Sequence, residues 1–427
     1  MTVTSERPPE VRRRGAEPVF APWLAAQSTN LDRHAAALRP FADGEFGTGA
    51  AAPSRAHVRA VNAVFAALRE DLLRRAASVT RQTRAGAHLD HLLADKDAAH
   101  EVVRAIERVW DFYFELFGQR QSRFAPWLLA CDRIALDCYQ VAFLHTGEAK
   151  PIPAPAPFCY MRTGFAPATF RRAVPLRRLG QLLNPFPLVQ LPYHRLVNPW
   201  TLGAVLHEVG HNLQNDLGLA RVVPNTVAAA LTGAGLPRSV AATWTRWNRE
   251  SFADLAGLLL GGPNIVGSLF DVIGRAPAAA FGYVPNKPHP TPYLRGLLNL
   301  ELLRRMGFTA EADRYAALWR RLYPEPSGKG LPEPLLATAP RAIPLFVDAV
   351  CYRPYPELGG KRLAEVLPFG DKEQRIVRQA AGRLANGTDP GIVPERFLIG
   401  AARHALDHRL AGPGALTRNF YEALGRR

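Results

Sequence analysis

Two histidines are spaced so that they can bind one metal ion, and a glutamate lies beside them. His207 and His211 are four residues apart in the segment His207-Glu208-Val209-Gly210-His211, and residues at this spacing lie on one face of an α-helix. Both imidazoles can therefore bind the same tetrahedral zinc ion. Glu208 lies beside them and can take a proton from water whose pKa the metal lowers to about 7. The pattern is typical of zinc hydrolases.

The residues around this motif predict the helix that must carry it. Asn198-Pro199 indicates a helix start, and Gly218 indicates its end. Between them, apolar residues recur at helical spacing at Leu202, Val205, Leu206, Val209 and Leu213.

A second helix is expected downstream, where Glu250 and Asp254 share one face among apolar residues. Carboxylates rarely enter such a face unless they are paired or bound to metal. A zinc site with two histidines needs a further oxygen ligand, and its histidines need partners for their second ring nitrogen. Glu250 fits the first role and Asp254 the second. The alternative is a pair of solvated surface acids.

Together the motifs His207-Glu208-x-x-His211 and Glu250-x-x-x-Asp254 resemble those of the gluzincin metallopeptidases, in particular the prenyl-protein (CAAX) peptidase family and its soluble relatives. Those enzymes also carry a later His-Pro element followed by an arginine, and this chain has His289-Pro290-Thr291-Pro292-Tyr293-Leu294-Arg295. The resemblance covers roughly residues 185 to 310. It implies that His289 or Tyr293 stabilises the oxyanion of a tetrahedral intermediate, and that Arg295 holds the local structure.

The short apolar run from Phe186 to Leu196, with prolines at both sides, indicates an edge strand. Edge strands border the cleft in zincin-like folds and can pair with an extended peptide. Leu188, Gln190 and Tyr193 are therefore the expected substrate-binding residues of this strand. An ordinary core position for Tyr193 remains the alternative.

The net charge of +16 comes from 53 basic and 37 acidic residues. Only six of the basic residues are lysines, which is the composition expected from a GC-rich bacterial genome. The arginines are dispersed, whereas a nucleic-acid groove needs a longer basic stripe with interleaved aromatics. We therefore expect no specific nucleic-acid partner, although acidic peptide substrates would be favoured.

A cytoplasmic location is expected from the N-terminal residues and the cysteines. The first residues lack the apolar core of a signal peptide. The four cysteines, at positions 131, 138, 159 and 351, form no C-x-x-C pair and no disulfide framework. No stretch reaches the roughly 20 apolar residues that a spanning helix needs, so no membrane span is expected.

The expected fold is mainly α with a small β-sheet, in which a zincin-like catalytic domain is flanked by helical regions. Residues 1–50 are predicted to be an irregular lead-in and residues 51–150 a helical region. The proline-alternating segment from Lys150 to Pro157 marks the start of the metallopeptidase domain, 151–325. A second helical region is predicted over 326–427.

These patterns predict a zinc-dependent peptidase that acts on a peptide or protein substrate and holds one Zn²⁺ per chain. His207, His211 and Glu250 would bind the metal, and Glu208 would act as general base. The alternative is a noncatalytic, zinc-stabilised helical protein with a binding or regulatory role. The sequence indicates neither the substrate, nor endo- or exopeptidase action, nor the oligomeric state.

Overall fold

The computed structural model describes residues 20–148, 150–164 and 166–427. Helices account for 67% of the structure and the sheet is a small mixed one of three strands, so the predicted fold class, mainly α with a small β-sheet, is confirmed. The described residues form two compact units.

The first unit contains residues 20–47, 53–118 and 175–185. Its helices are α1 (Ala21–Ala37), α2 (Arg55–Arg84) and α3 (Leu89–Gly118). Phe41, Phe46, Phe65 and Phe117 form its aromatic core, with ring centroids 5.0 to 6.1 Å from Phe41. The two long helices lie within the helical region predicted over residues 51–150.

Helix α1 corrects the expectation of an irregular lead-in over residues 1–50, of which residues 1–19 lie outside the described part. Leu24, Leu31 and Ala35 are buried on one face of this helix. They recur at the three- and four-residue spacing of a helix, but the many alanines and arginines around them obscured this pattern in the sequence.

The second unit holds the remaining described residues, so helix α4 (Ala125–Leu144) and residues 326–427 belong to the same unit as the motif helices. The boundaries predicted near residues 150 and 325 do not coincide with this division. The other helices of this unit are α5 (Tyr193–Leu196), α6 (Gly203–Asp216), α7 (Leu219–Gly233), α8 (Arg238–Arg246), α9 (Asn248–Gly261), α10 (Asn264–Ile273), α11 (Pro277–Ala280), α12 (Pro292–Arg305), α13 (Thr309–Leu322), α14 (Glu333–Val347), α15 (Leu363–Val366), α16 (Asp371–Ala385), α17 (Phe397–Asp407) and α18 (Pro413–Gly425).

Helices α6 and α9 carry the two motifs and pack closely against each other. A Cβ atom placed on Gly210 would lie 3.0 Å from the Ala253 Cα atom, so only glycine fits this crossing without a shift. Helix α6 starts after a 3-10 turn at Pro199–Thr201, slightly later than predicted. Gly218, with a φ of 80°, lies just beyond its end.

The sheet consists of β1 (Phe158–Met161), β2 (Ala168–Phe170) and β3 (Leu188–Leu191), in the order β1-β3-β2. Strand β3 pairs with β1 in parallel and with β2 antiparallel. The predicted edge strand is therefore wrong, because β3 is central and β2 lies at an edge. Pro187 and Pro192 flank β3 rather than interrupt it, so its own N–H groups can bond on both sides.

Among the described residues, one helical segment, Glu333–Tyr352, is long and apolar enough to cross a membrane, and 50% of its apolar window is buried inside the structure. Our sequence analysis missed this segment because Pro340 and Pro344 interrupt it. Buried core helices of soluble proteins can have the same length and composition.

Candidate metal centre

The two motif histidines face each other one turn apart on α6. Their ring centroids are 4.8 Å apart and the rings are almost perpendicular, at 85°. Burial, followed by the charge of His207, lowers the pKa of His211 to about 3. His211 is therefore neutral near pH 7, which is the form that binds a metal.

Glu250 lies opposite both histidines. One of its carboxylate oxygens is 3.6 Å from His207 Nε2, and the other is 3.5 Å from His211 Nε2. Two ligand atoms about 2.0–2.1 Å from a tetrahedral zinc ion are about 3.3 Å apart, so this spacing fits one shared ion. Within the described residues these three side chains form the group whose donor atoms converge within 4.8 Å of one another.

Asp254 holds the inner ring nitrogen of His207. Its Oδ1 atom lies 2.8 Å from His207 Nδ1, and this bond turns Nε2 toward Glu250. Although burial opposes the charge of Asp254, the Arg295 guanidinium holds its pKa well below the usual range. Asp254 is thus a buried, ionised partner of a candidate ligand, as a metal site requires.

His207 itself is strongly basic in this arrangement. Burial lowers its pKa, but the hydrogen bonds to Asp254 and Glu250 outweigh that effect and raise the value to about 10. Burial alone would raise the pKa of Glu250, whereas the bond to His207 and the nearby histidines lower it to about 2.

His211 lacks the corresponding support. Its Nδ1 atom is buried and has no hydrogen-bond partner among the described residues. Metal-bound histidines usually donate this second N–H to a protein group or to water. The donor set thus fits a tetrahedral metal, and the second nitrogen of His211 is buried without a partner among the described residues.

Glu208 lines the same cavity and its side chain is buried. Burial raises its pKa to about 7, and the charge of Glu250 adds to this effect while that of His207 opposes it. A carboxylate with such a pKa can both take up and release a proton near neutral pH, which is what a general base and acid needs.

The two oxyanion candidates lie in different places. His289 reaches the centre, since its Nε2 atom is 3.4 Å from Glu250 Oε2 and its side chain is 62% exposed. Tyr293 is not brought to the cavity. It packs against Phe281 and Tyr323, with ring centroids 4.9 and 6.3 Å away, because it lies on the core side of α12.

The predicted strand residues do not form a substrate edge. Leu188 is buried and Gln190 pairs with Tyr160 at 3.0 Å on the central strand. Tyr193 begins α5, where its ring packs 5.6 Å from that of Phe124. None of the three lines the cavity at the metal centre.

The cavity has a volume of about 420 Å³. Sequence reasoning missed two of its walls. One is β2 with the residues beside it, and the other is α10. The strand is only three residues long, and α10 begins directly after Gly261-Gly262-Pro263, residues that favour the end of a helix. The residues concerned are Ala166, Pro167, Ala168, Thr169, Arg171, Ile265, Ser268, Leu269 and Val272.

No protein-family model, curated protein or solved structure matches the chain. The resemblance to gluzincin metallopeptidases therefore stays a prediction from the motifs. The geometry of the centre is the observation on which a function can be argued.

Proposed function

We propose that the chain is a zinc-dependent peptidase of the gluzincin type. The observation that supports this most directly is the convergence of His207, His211 and Glu250 on one point at the wall of an open cavity. These three side chains would hold the ion. Zinc bound there would supply Lewis-acid polarisation of a carbonyl group and a lowered pKa for water.

The protein residues have separate roles in the proposed reaction. Glu208 takes one proton from the water molecule that attacks the scissile carbonyl carbon, and it delivers this proton to the departing amine. Asp254 keeps His207 in the orientation that presents Nε2. His289, at the rim of the centre, is placed to donate a hydrogen bond to the oxyanion.

The noncatalytic alternative has one observation in its favour. His289 Nε2 is as close to Glu250 as the two motif histidines are, at 3.4 Å, so it could close the site as a fourth protein ligand. Closed sites of four protein ligands are structural, whereas catalytic sites keep one position open. The exposure of His289 favours the open site.

The test is the zinc content of the purified protein together with its activity on a broad peptide mixture. We expect about one zinc ion per chain, retained in Glu208→Gln and lost in Glu250→Ala. Peptide cleavage should disappear in Glu208→Gln but persist in the surface control Glu325→Gln. A wild-type protein that binds zinc but cleaves no peptide would support the structural alternative, and one that takes up no zinc would exclude both.

A further inference from the structure

Two arginine side chains line the cavity beside the metal centre. Arg171 directly follows β2, and Arg249 directly precedes Glu250 on α9. Strand β2 is fixed next to the second half of α6, because Asn212 Nδ2 donates a 2.7 Å hydrogen bond to Thr169 Oγ1. Both arginines therefore lie at the end of the cavity where α6 carries His211.

Arg249 differs from Arg295, the third arginine of the cavity. Arg295 is neutralised by Asp254, to which it donates two hydrogen bonds. Arg249 forms no salt bridge with any described residue. Both arginines line the same cavity. Burial lowers the pKa of Arg171, and the positive charge of Arg249 lowers it further.

Arginine stays charged in proteins. An anion that enters the cavity beside the two guanidinium groups can accept charge-assisted hydrogen bonds from them. A carboxylate matches the planar guanidinium fork particularly well. The end of the cavity near His211 therefore has the chemistry of a carboxylate subsite.

The opposite end of the cavity has a different character. Ile265, Leu269 and Val272 of α10 line it, and α10 packs tightly on the start of α6, where a Cβ on Gly203 would lie 2.8 Å from Ser268 Cβ. Along α6, the distance from the start of the helix to His211 is about 12 Å. The cavity is thus apolar at one end and cationic at the other, with the candidate metal ligands between them.

We propose that Arg171 and Arg249 bind a carboxylate of the substrate and so direct the site toward acidic peptides. This inference rests on the proposed peptidase function and adds a substrate class to it. The carboxylate belongs either to an aspartate or glutamate side chain near the scissile bond or to the C-terminus of the peptide. The chemistry at the arginines is the same in both cases.

The experiment uses zinc-loaded protein and four matched peptides. They share an apolar residue and contain either glutamate or glutamine beside it, each with a free or an amidated C-terminus. If the glutamate peptides are preferred whether the C-terminus is free or amidated, the arginines bind the side-chain carboxylate. If the peptides with a free C-terminus are preferred over the amidated ones, the arginines bind the terminal carboxylate. Equal kcat/KM for all four peptides overturns the proposal.

Variants connect this preference to the arginines. In Arg249→Gln, kcat/KM for the preferred carboxylate peptide should fall about ten- to hundredfold, mainly through KM, while the neutral peptide changes little. Arg249→Lys should retain part of the preference, and Arg249→Glu should favour a lysine-containing peptide. Arg246→Gln is the matched control, because this exposed arginine at the end of α8 lies outside the cavity. Equal losses on all peptides in Arg249→Gln, or losses no larger than in Arg246→Gln, contradict the subsite.

A binding measurement separates failure of the subsite from failure of the peptidase. Zinc-free protein is titrated with N-acetyl-Leu-Glu and with the fully amidated N-acetyl-Leu-Gln, and Kd is measured by NMR. Wild type should bind the carboxylate peptide about tenfold or more tightly, and Arg249→Gln should bind both alike. This result would stand even if no peptide were cleaved, whereas equal binding of the two probes by wild type would overturn the proposal by itself.

Discussion

Arg295 and Asp254 form a buried, two-pronged ion pair directly behind the candidate metal ligands. Arg295 Nε and Nη2 each donate a 2.7 Å hydrogen bond, one to either oxygen of the Asp254 carboxylate. The oxygen that receives the Nη2 bond also lies 2.8 Å from His207 Nδ1. The pair therefore ties α12 to α9 and orients a ligand on α6 through the same carboxylate.

The Asp254→Asn variant tests both consequences of this arrangement. It leaves the buried Arg295 charge without a partner, so we expect unfolding to require about 3–5 kcal/mol less free energy. Zinc affinity should also fall about 10–100-fold. Urea denaturation and a competitive zinc titration would measure these changes. Asp313→Asn is the matched control, because the Asp313–Arg304 pair is largely exposed and should be worth less than about 1 kcal/mol.

Replacement of Gly210 by alanine tests the close packing of α6 on α9. The new Cβ would lie 3.0 Å from Ala253 Cα and 3.1 Å from its carbonyl oxygen, so one helix must shift. We expect a loss of about 1–3 kcal/mol in stability and weaker zinc binding, because the histidines and Glu250 would move apart. Gly382→Ala on α16 is the control, since a Cβ there has open space and should stabilise the helix by up to about 1 kcal/mol. Similar stability changes in the two variants would contradict this account.

The parts of the centre that sequence reasoning could predict are those encoded by local helical spacing. His207 and His211 on α6, and Glu250 and Asp254 on α9, follow from four-residue repeats within one helix. The close packing of α6 on α9 also has a signal in the sequence, because Gly210 lies between the two histidines and lets the two helices approach. Long helices such as α2 and α3 were predictable for the same reason.

The parts that could not be predicted depend on pairing between distant segments. Which strand lies at the edge is decided by the partners that β3 finds on either side, and its own residues do not specify them. The arginine pair has the same origin, because Arg171 and Arg249 are far apart in sequence and are brought to one cavity by β2 and α9. Tyr293 was expected at the cavity because it follows His289 closely in sequence. That proximity does not fix the direction of the Tyr293 side chain, which lies on the core side of α12.

His289 and Tyr293 can be distinguished by single substitutions. His289→Ala should retain zinc while kcat falls about 10–1000-fold, because a donor to the oxyanion is lost. Tyr293→Phe should leave kcat within about twofold, because its ring lies in the aromatic cluster with Phe281 and Tyr323 and does not reach the cavity. Steady-state kinetics and metal analysis of both variants would decide between them. Loss of zinc from His289→Ala would instead identify His289 as a ligand.

The raised pKa of Glu208 predicts a cost in stability that depends on pH. Burial raises this pKa from 4.5 to about 7 in the folded, metal-free protein, so the folded state binds the proton more tightly than the unfolded state does. The contribution of Glu208 to stability is therefore fully present below about pH 4.5 and is lost as the pH rises through about 7. Glutamine keeps the shape of the protonated side chain and does not titrate.

Zinc-free Glu208→Gln should thus be more stable than zinc-free wild type at pH 8, by on the order of 3 kcal/mol, whereas at pH 5 the difference should be below about 1 kcal/mol. Urea denaturation of both proteins in the presence of a chelator measures the difference, in which the titration of all other groups largely cancels. Glu325→Gln, at an exposed loop position, should show no such pH dependence. A constant difference between pH 5 and pH 8 would mean that Glu208 is ionised throughout this range, and the proposed exchange of a proton near neutral pH would then lose its basis.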